Sequence, residues 1–519
     1  MTTSTENILC ATRLADSSAR LTGPGKDTWK EHTKHFLKLV NNCLRETTVE
    51  PCLFLYQLCI ALSSMTVQNM HLEKSCRVNL NYGEEICDRI RDLNTTGLEE
   101  ELKQVQSLVA KVMAWKFPLQ TAIPAILVLF VGAWSDKYKK RKVCMLFPIV
   151  GEVVTNIGLL LATYYFYELS LIGTALIEAL PPAFTGSYII IFMGMYSFMT
   201  DRTSVENRTF RLGIVAICVN VGTPAGTALS GILLRALGYY GMFSLILSLH
   251  LLSFTYGMFR LEDVCPAQDS PVTIGAENNG LVTKFREIVS LVRNTVMVAL
   301  KQRECRGRTQ IIVVLVIYLI MVGPLYGDSQ VAYLYARRKF NFDEVEYSVY
   351  GTINIVLGLF GTFFCISLLG KTLQVQDSII GCLTAVSRIA ACFVFAFAPS
   401  RPWFYAAPVF NIFSHTSLTA IRSMATKSVA PEEVAKLSAL IGVTEALAPS
   451  IYMPASSYIY VTTIDKFPGA FYLFDAALTV VALDLFVVIY FLVRRKADTT
   501  VANPSEKEQY ARSNEISRF

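Results

Sequence analysis

Charge is scarce in this 519-residue sequence: 17% of its residues are Asp, Glu, Lys or Arg, where soluble domains carry about a quarter. Histidine is scarcer still, at five. The thirteen cysteines include no C-x-x-C and no Cys/His group at metal-ligand spacing, which leaves zinc and thioredoxin-like chemistry unsupported. No G-x-S-x-G elbow, phosphate-cradling glycine loop or metal pair occurs, so an enzyme and an ATP-driven pump have no foothold, and no cofactor or metal is expected. The first fifty residues hold no apolar run followed by a small-residue cleavage site. A cleaved leader is therefore not expected, and the N-terminus is expected in the cytosol.

What fills the sequence instead is apolar: 53% of residues, with a mean hydropathy of +0.42. Runs long enough to cross roughly 30 Å of hydrocarbon as helices recur down the chain. Twelve spans are expected, near 51–70, 112–133, 143–166, 171–199, 211–235, 240–259, 309–327, 347–369, 378–398, 403–425, 437–460 and 469–493. Basic residues test the resulting topology. Lys137 to Lys142, Arg202, Arg208, Arg211, the Lys284 to Arg308 group and Arg494 to Lys496 fall in loops that then face the cytosol. Arg337, Arg338 and Lys339, on the other side, go against the trend. The net charge of +6 records cytosolic loops facing anionic lipid and is no argument for nucleic acid.

The spans divide the chain into a cytosolic tail (1–50), a six-helix bundle (51–259) with a long outer loop (71–111), a cytosolic linker (260–308), a second six-helix bundle (309–493) and a cytosolic tail (494–519). This is the outline of an all-α major facilitator fold. In the linker, LVTKFREIVSLVRNTVMVAL reads equally as an interfacial helix or a soluble one packed beneath the bundle. The outer loop carries Cys76 and Cys87 and the sequon at Asn94, which suits an oxidising face with a disulfide and a glycan. A second sequon, at Asn207, is expected in the cytosol and silent. After the second span comes GAWSDKYKKRK, whose basic residues anchor topology and whose Asp136, Lys140 and Arg141 form a candidate cytosolic gate.

VEPCLFLYQ, GAWSDKYKKRK, NRTFRLG and LTAIRSMATKSV resemble the solute carrier family that contains the proton-coupled folate transporter and the thymic stromal cotransporter. LEKSCRVNLNY, LIEALPPAFTG and GVTEALAPSIY are similar to its invertebrate members. The resemblance implies a secondary transporter with one central solute path and alternating access. It also marks departures. The folate transporter's loop after span two keeps a glycine and an arginine where Lys139 and Lys140 stand here, its coupling glutamate in span five falls at Ala216, its span-four acid at Ser187, and its span-seven histidine near Leu325. Only its basic residue at the end of span ten is retained, as Arg422, so folate transport by the same proton machinery is not carried over.

An isolated charge at mid-membrane costs roughly 2.5–3.5 kcal/mol, which makes intramembrane ionisable residues functional candidates. Glu445, followed by Pro449 and Pro454, leads the proton-coupling candidates, ahead of Glu178 and Glu152; a neutral, hydrogen-bonded packing role is the alternative for each. Substrate-path candidates are Arg388, Arg422, Tyr326, Asp328, Gln330 and Tyr333, the last four from a Gly- and Pro-interrupted helix end, VGPLYGDSQVAYLY, that suits a gate or cavity wall. Asp475 and Asp484 have no assigned role. The expected partners are a small, anionic organic solute, protons and membrane lipid, in the plasma membrane or the endolysosome. A polytopic receptor or scaffold that kept the fold without transport is the rival reading.

Overall fold

The computed structural model of the chain describes residues 48–138, 140–203, 205–263, 307–429 and 434–502. The chain divides at Thr48, and everything below concerns the unit that starts at Val49. The first-tail expectation, and that for the linker helix at 281–300, lie outside the described residues. Among those described there is no strand.

Helix α1 (Glu50–Lys74) starts with a proline in its first turn, where a missing N–H costs nothing, and runs on through a wide π turn at Ser75–Asn79. A short α2 (Glu84–Arg91) precedes the 40-residue α3 (Glu99–Tyr138). The segment expected as a long outer loop is therefore largely helical, and α3 begins well before the apolar run that marks its membrane crossing. Its polar first turns pack against protein, which hydropathy does not register.

Next come α4 (Arg141–Tyr164), α5 (Leu171–Thr185) and α6 (Ser187–Arg202), the last two being one span broken at Gly186. Then α7 (Val205–Arg260) contains a single non-helical residue, Gly238, at φ 62°. Only a residue without a Cβ tolerates that backbone cheaply, and the chain reverses there. Against α1, Phe54 meets Gly222 and Leu58 meets Gly226 on the first arm, while Cys52 meets Ser253 and Cys59 meets Ile246 on the second, so the arms run oppositely.

The second half holds α8 (Gly307–Phe340), α9 (Glu344–Phe364) with a π turn at Cys365–Thr372, α10 (Asp377–Phe397), α11 (Arg401–Phe410), α12 (Ser417–Lys427), α13 (Val434–Thr463) and α14 (Ala470–Ala502). Asp343 opens α9 with a capping box: its carboxylate accepts from Glu346 N–H at 2.7 Å, and Glu346 returns the bond. Nine described stretches are long and apolar enough to cross a membrane. One of them, Ile214–Arg260, crosses twice by turning at Gly238. The α11–α12 pair and α13 complete twelve.

The halves meet through α3 against α13 and α7 against α9. At the end carrying Cys76 and Cys87, called here the disulfide end, one apolar core joins both halves, with Val105 and Ala175 from the first and Tyr333, Phe404 and Tyr460 from the second. Toward the opposite end the core separates into a cluster around Tyr56, Met195 and Phe198 and another around Tyr318, Ile421 and Phe486. Among the described residues the apolar core is thus continuous at one end and parted into two clusters at the other.

Candidate functional site

In the parted region Glu445 of α13 accepts from Arg422 of α12 at 2.6 Å and from the Tyr318 hydroxyl of α8 at 2.8 Å. Arg422 also donates to Tyr318 at 3.2 Å. The Arg422 side chain is 54% exposed and that of Glu445 29%, so the pair is only partly covered by protein. From the other half, Tyr188 lies within electrostatic range of Glu445 and Tyr196 within range of Arg422, and Tyr326 completes the aromatic surround. The Arg422 guanidinium turns to a carboxylate one helix away. Glu445, for its part, is neither isolated nor deep.

A second cluster sits inside the first half. Lys116 of α3, 1% exposed, pairs with Glu178 of α5 at 2.6 Å, and His71 of α1 lies 3.4 Å from the same carboxylate. Gln120 donates to the Glu178 carbonyl at 3.2 Å. Glu152 of α4 is buried within electrostatic range of Glu178. Sequence reasoning found the two acids and missed Lys116 and His71, because both stood at or beyond the ends of the expected spans. The signal was present: a lysine beside Trp115 and Phe117 in a run that stays helical on both sides.

A third cluster ties the second half together. Arg388 of α10 lies between Asp328 of α8 and Asp475 of α14, and donates through Nε to Asp475 at 2.7 Å. All three residues are at least 92% buried. Arg388 is thus taken up by two carboxylates rather than presented to an anionic solute, while Asp484 stays exposed and apart. Helix α8 is also unbroken where a gap was expected. Gly323 and Gly327 serve close packing, since added Cβ atoms would strike the Tyr452 ring and Ser456 of α13.

At the disulfide end, polar contacts bind the halves. Arg337, 4% exposed, donates to the Ile90 and Arg91 carbonyls at 2.9 and 3.0 Å and to the Tyr333 hydroxyl at 3.1 Å. Tyr333 donates to Asn69 at 2.8 Å, and Tyr460 to Gln106 at 3.0 Å. Lys103 pairs with Asp465 at 2.7 Å, and Arg235 with Asp343 at 2.9 Å. Burial pushes the Asp343 carboxyl up, but the Glu346 N–H and the Arg235 guanidinium outweigh it and hold the group below its ordinary value. Of the three basic residues that go against the positive-inside trend, Arg337 joins the halves, whereas Arg338 reaches Asp465 and Lys339 caps the Ala396 carbonyl at 3.1 Å within the second half. Tyr333 thus bonds across the halves to Asn69, whereas Gln330 is buried with its Oε1 unpartnered. A disulfide joins Cys76 to Cys87 and ties the end of α1 to α2, whose last carbonyls receive Arg337. Asn94 is exposed just beyond.

The candidate gate after α3 is partly seen. The Asp136 side chain lies outside the described residues, as does that of Asn207. Exposed Lys140 offers its carbonyl to Ser135, and buried Arg141 pairs with Asp201 of α6 at 3.0 Å and with Ser135 at 2.9 Å. Those bonds lie within the first half.

Residues 93–414, well over half of the chain, match the Major Facilitator Superfamily. The chain belongs to that superfamily. This major facilitator protein is similar to the "Probable peptidoglycan muropeptide transporter SLC46" of Drosophila melanogaster, 25% identical over 442 residues that span 83% of either chain. It is 24% identical over 442 residues to the "Lysosomal proton-coupled steroid conjugate and bile acid symporter SLC46A3" of Gallus gallus, covering 84% of this chain and 92% of that one. The "Proton-coupled folate transporter" of Rattus norvegicus matches at 22% over 359 residues, 67% of this chain and 72% of the other. Among solved structures, the human organic anion transporter MFSD10 superposes with a TM-score of 0.57 at 12% identity, over 84% and 97% of the two chains. The nucleoside transporter NupG gives 0.54, also at 12%, over 85% and 98%. These two share the fold. In major facilitator terms, the chain is a twelve-helix secondary transporter whose described apolar core is parted at one end.

Proposed function

We propose that the protein is a proton-coupled symporter of a small organic anion in an endolysosomal membrane, with the disulfide end lumenal and both termini cytosolic. The observation that carries the reading is the half-exposed Arg422–Glu445 pair in the parted region. A guanidinium bound to a carboxylate is a site already filled by an internal anion. When a proton neutralises Glu445, the charge-assisted bond to Arg422 weakens, and the planar guanidinium is freed for a bidentate bond to a solute carboxylate or sulfate. Tyr188, Tyr196, Tyr318 and Tyr326 supply amphipathic walls that suit a solute with a sizeable apolar body. Proton and anion then bind together, as symport requires. The names of the relatives, which speak of proton coupling to steroid conjugates, bile acids and folate and of muropeptide transport, support the same class of cargo.

In this reading Lys116–Glu178–His71 holds the first half rigid, and Arg141–Asp201 positions the loop after α3. The test is uptake into proteoliposomes under an imposed pH gradient, with a panel of folates, steroid conjugates, bile acids and muropeptides. The wild type is expected to accumulate at least one of them faster at acid than at neutral external pH. Glu445→Gln should flatten that pH dependence and Arg422→Gln should abolish uptake of the same solute. A panel with no transported member, or unaltered pH dependence in Glu445→Gln, overturns the proposal.

A further inference from the structure

The buried cluster of Arg388, Asp328 and Asp475 lies away from the Arg422–Glu445 pair, and its charges do not balance. With all three groups ionised it carries one surplus negative charge, and among the described residues no second cation pairs with either aspartate. A surplus charge sealed from water at this degree of burial is strongly unfavourable, and binding one proton removes it. The two carboxylates also reach toward the same guanidinium nitrogen, which brings them within hydrogen-bonding range of each other. Two ionised carboxylates repel at such range, whereas a carboxyl and a carboxylate share a proton.

The surroundings distinguish the two acids. Asp475 is built to stay an anion: its Oδ2 accepts from Arg388 Nε and a second Arg388 N–H and from Cys392 Sγ at 3.3 Å, and its Oδ1 accepts from Thr479 at 3.2 Å. Asp328 receives only the one Arg388 N–H on Oδ2, and its Oδ1 is buried with no hydrogen-bond partner. The titratable groups that face the cluster from the packed elements are Tyr347 and Tyr350 of α9, Tyr452 of α13, Tyr472 of α14, Cys392 of α10, and His415 between α11 and α12. Of these only His415, beside Arg388, is able to supply a compensating positive charge.

We propose that this cluster is a second proton-binding site, in which Asp328 carries the proton, Asp475 is the fixed anion and Arg388 is their shared counter-ion. The step is a simple protonation: the Asp328 carboxylate takes one proton from water and becomes a neutral carboxyl, with no other bond changed. Its place in the fold gives it a transport role. Asp328 rides on α8, the helix whose Tyr333 and Arg337 close the disulfide end. The neutral cluster holds α8 against α10 and α14 and so keeps that end shut. The ionised cluster gains from water and so favours the opening that admits it. This site does not depend on the Glu445 reading, since neither residue of that pair belongs to it.

The experiment is infrared difference spectroscopy of the purified full-length protein in phosphatidylcholine nanodiscs, between neutral and strongly alkaline pH. In a Glu152→Gln background, which serves as the wild type here because Glu152 is a further buried acid, the protein is expected to show the C=O stretch of one buried protonated carboxyl at neutral pH, shifted in heavy water. Asp328→Asn, a charge-balanced isostere of the protonated acid, should fold and lack the band. Asp475→Asn should lack it too, because one aspartate then balances Arg388. Arg388→Gln should strengthen the band about two-fold, and Glu445→Gln and His415→Gln should leave it unchanged. A wild type without the band, or a band that survives in both aspartate variants, overturns the proposal. So does a band that appears only on loss of His415, for then the histidine holds the balancing charge. Loss of pH-dependent uptake in Glu445→Gln bears only on the first site.

Discussion

Replacing Arg337 with methionine should open the disulfide end. In the closed bundle its guanidinium reaches across from α8 to the last carbonyls of α2 and to Tyr333, three hydrogen bonds between 2.9 and 3.1 Å. Methionine fills the space without donating. Tyr333 keeps its bond to Asn69, and the part-buried Arg91 carbonyl can reach water, so the main cost falls on the buried Ile90 carbonyl. A stranded buried acceptor costs roughly 1–3 kcal/mol, and the lost bonds to a charged donor add to it. Relief of the arginine's own desolvation works the other way. We take about 2 kcal/mol as the net loss, all of it in the closed state, since an open end hydrates the same carbonyls. That shifts the ratio of open to closed about thirty-fold. The assay is the distance distribution between spin labels at Thr96 and Lys466, exposed positions at this end in the first and second halves. The wild type should show a dominant short distance, and Arg337→Met a longer one grown at its expense. An unchanged distribution refutes the assignment of Arg337 to closure.

The same labels test the close approach of α7 and α9. A Cβ on Gly231 would lie 2.2 Å from the Glu344 carbonyl oxygen, a backbone atom that cannot yield cheaply, so Gly231→Ala should lengthen the distance, whereas Gly442→Ala, with nothing within 4 Å, should not. For topology, glycosidase treatment should increase the gel mobility of the wild type and not of Asn94→Gln, and Asn207→Gln should behave as the wild type; a shift that depends on Asn207 inverts the proposed orientation.

Local sequence determined what depends on local chemistry. Uninterrupted apolar runs set the membrane crossings and the all-α class, because a backbone in hydrocarbon has to satisfy its own hydrogen bonds. Motifs confined to a few residues, such as RTFR and GVTEALAPSIY, carried the resemblance to a solute carrier family. Hydropathy erred where helices continue under protein cover. It started α3 too late, read 71–111 as loop, and placed Lys116 and His71 at span margins when they are buried beside Glu178.

The sequence also singled out the ionisable residues worth asking about: Glu445, Arg422, Arg388, Asp328 and Asp475 were all visible as charges in oily surroundings. It held no information on who pairs with whom. Arg388 meets Asp475 across 87 residues, and Arg337 meets Ile90 across 247. Such pairings follow from how twelve helices pack, and packing depends on side-chain shape along whole helix faces. The three basic residues after Tyr335 show the division most plainly. By sequence they contradict the topology; by structure Arg337 ties the two halves together while Arg338 and Lys339 bond within the second half, because a buried carbonyl contributed by a distant helix needs a donor and only the folded chain brings one to it.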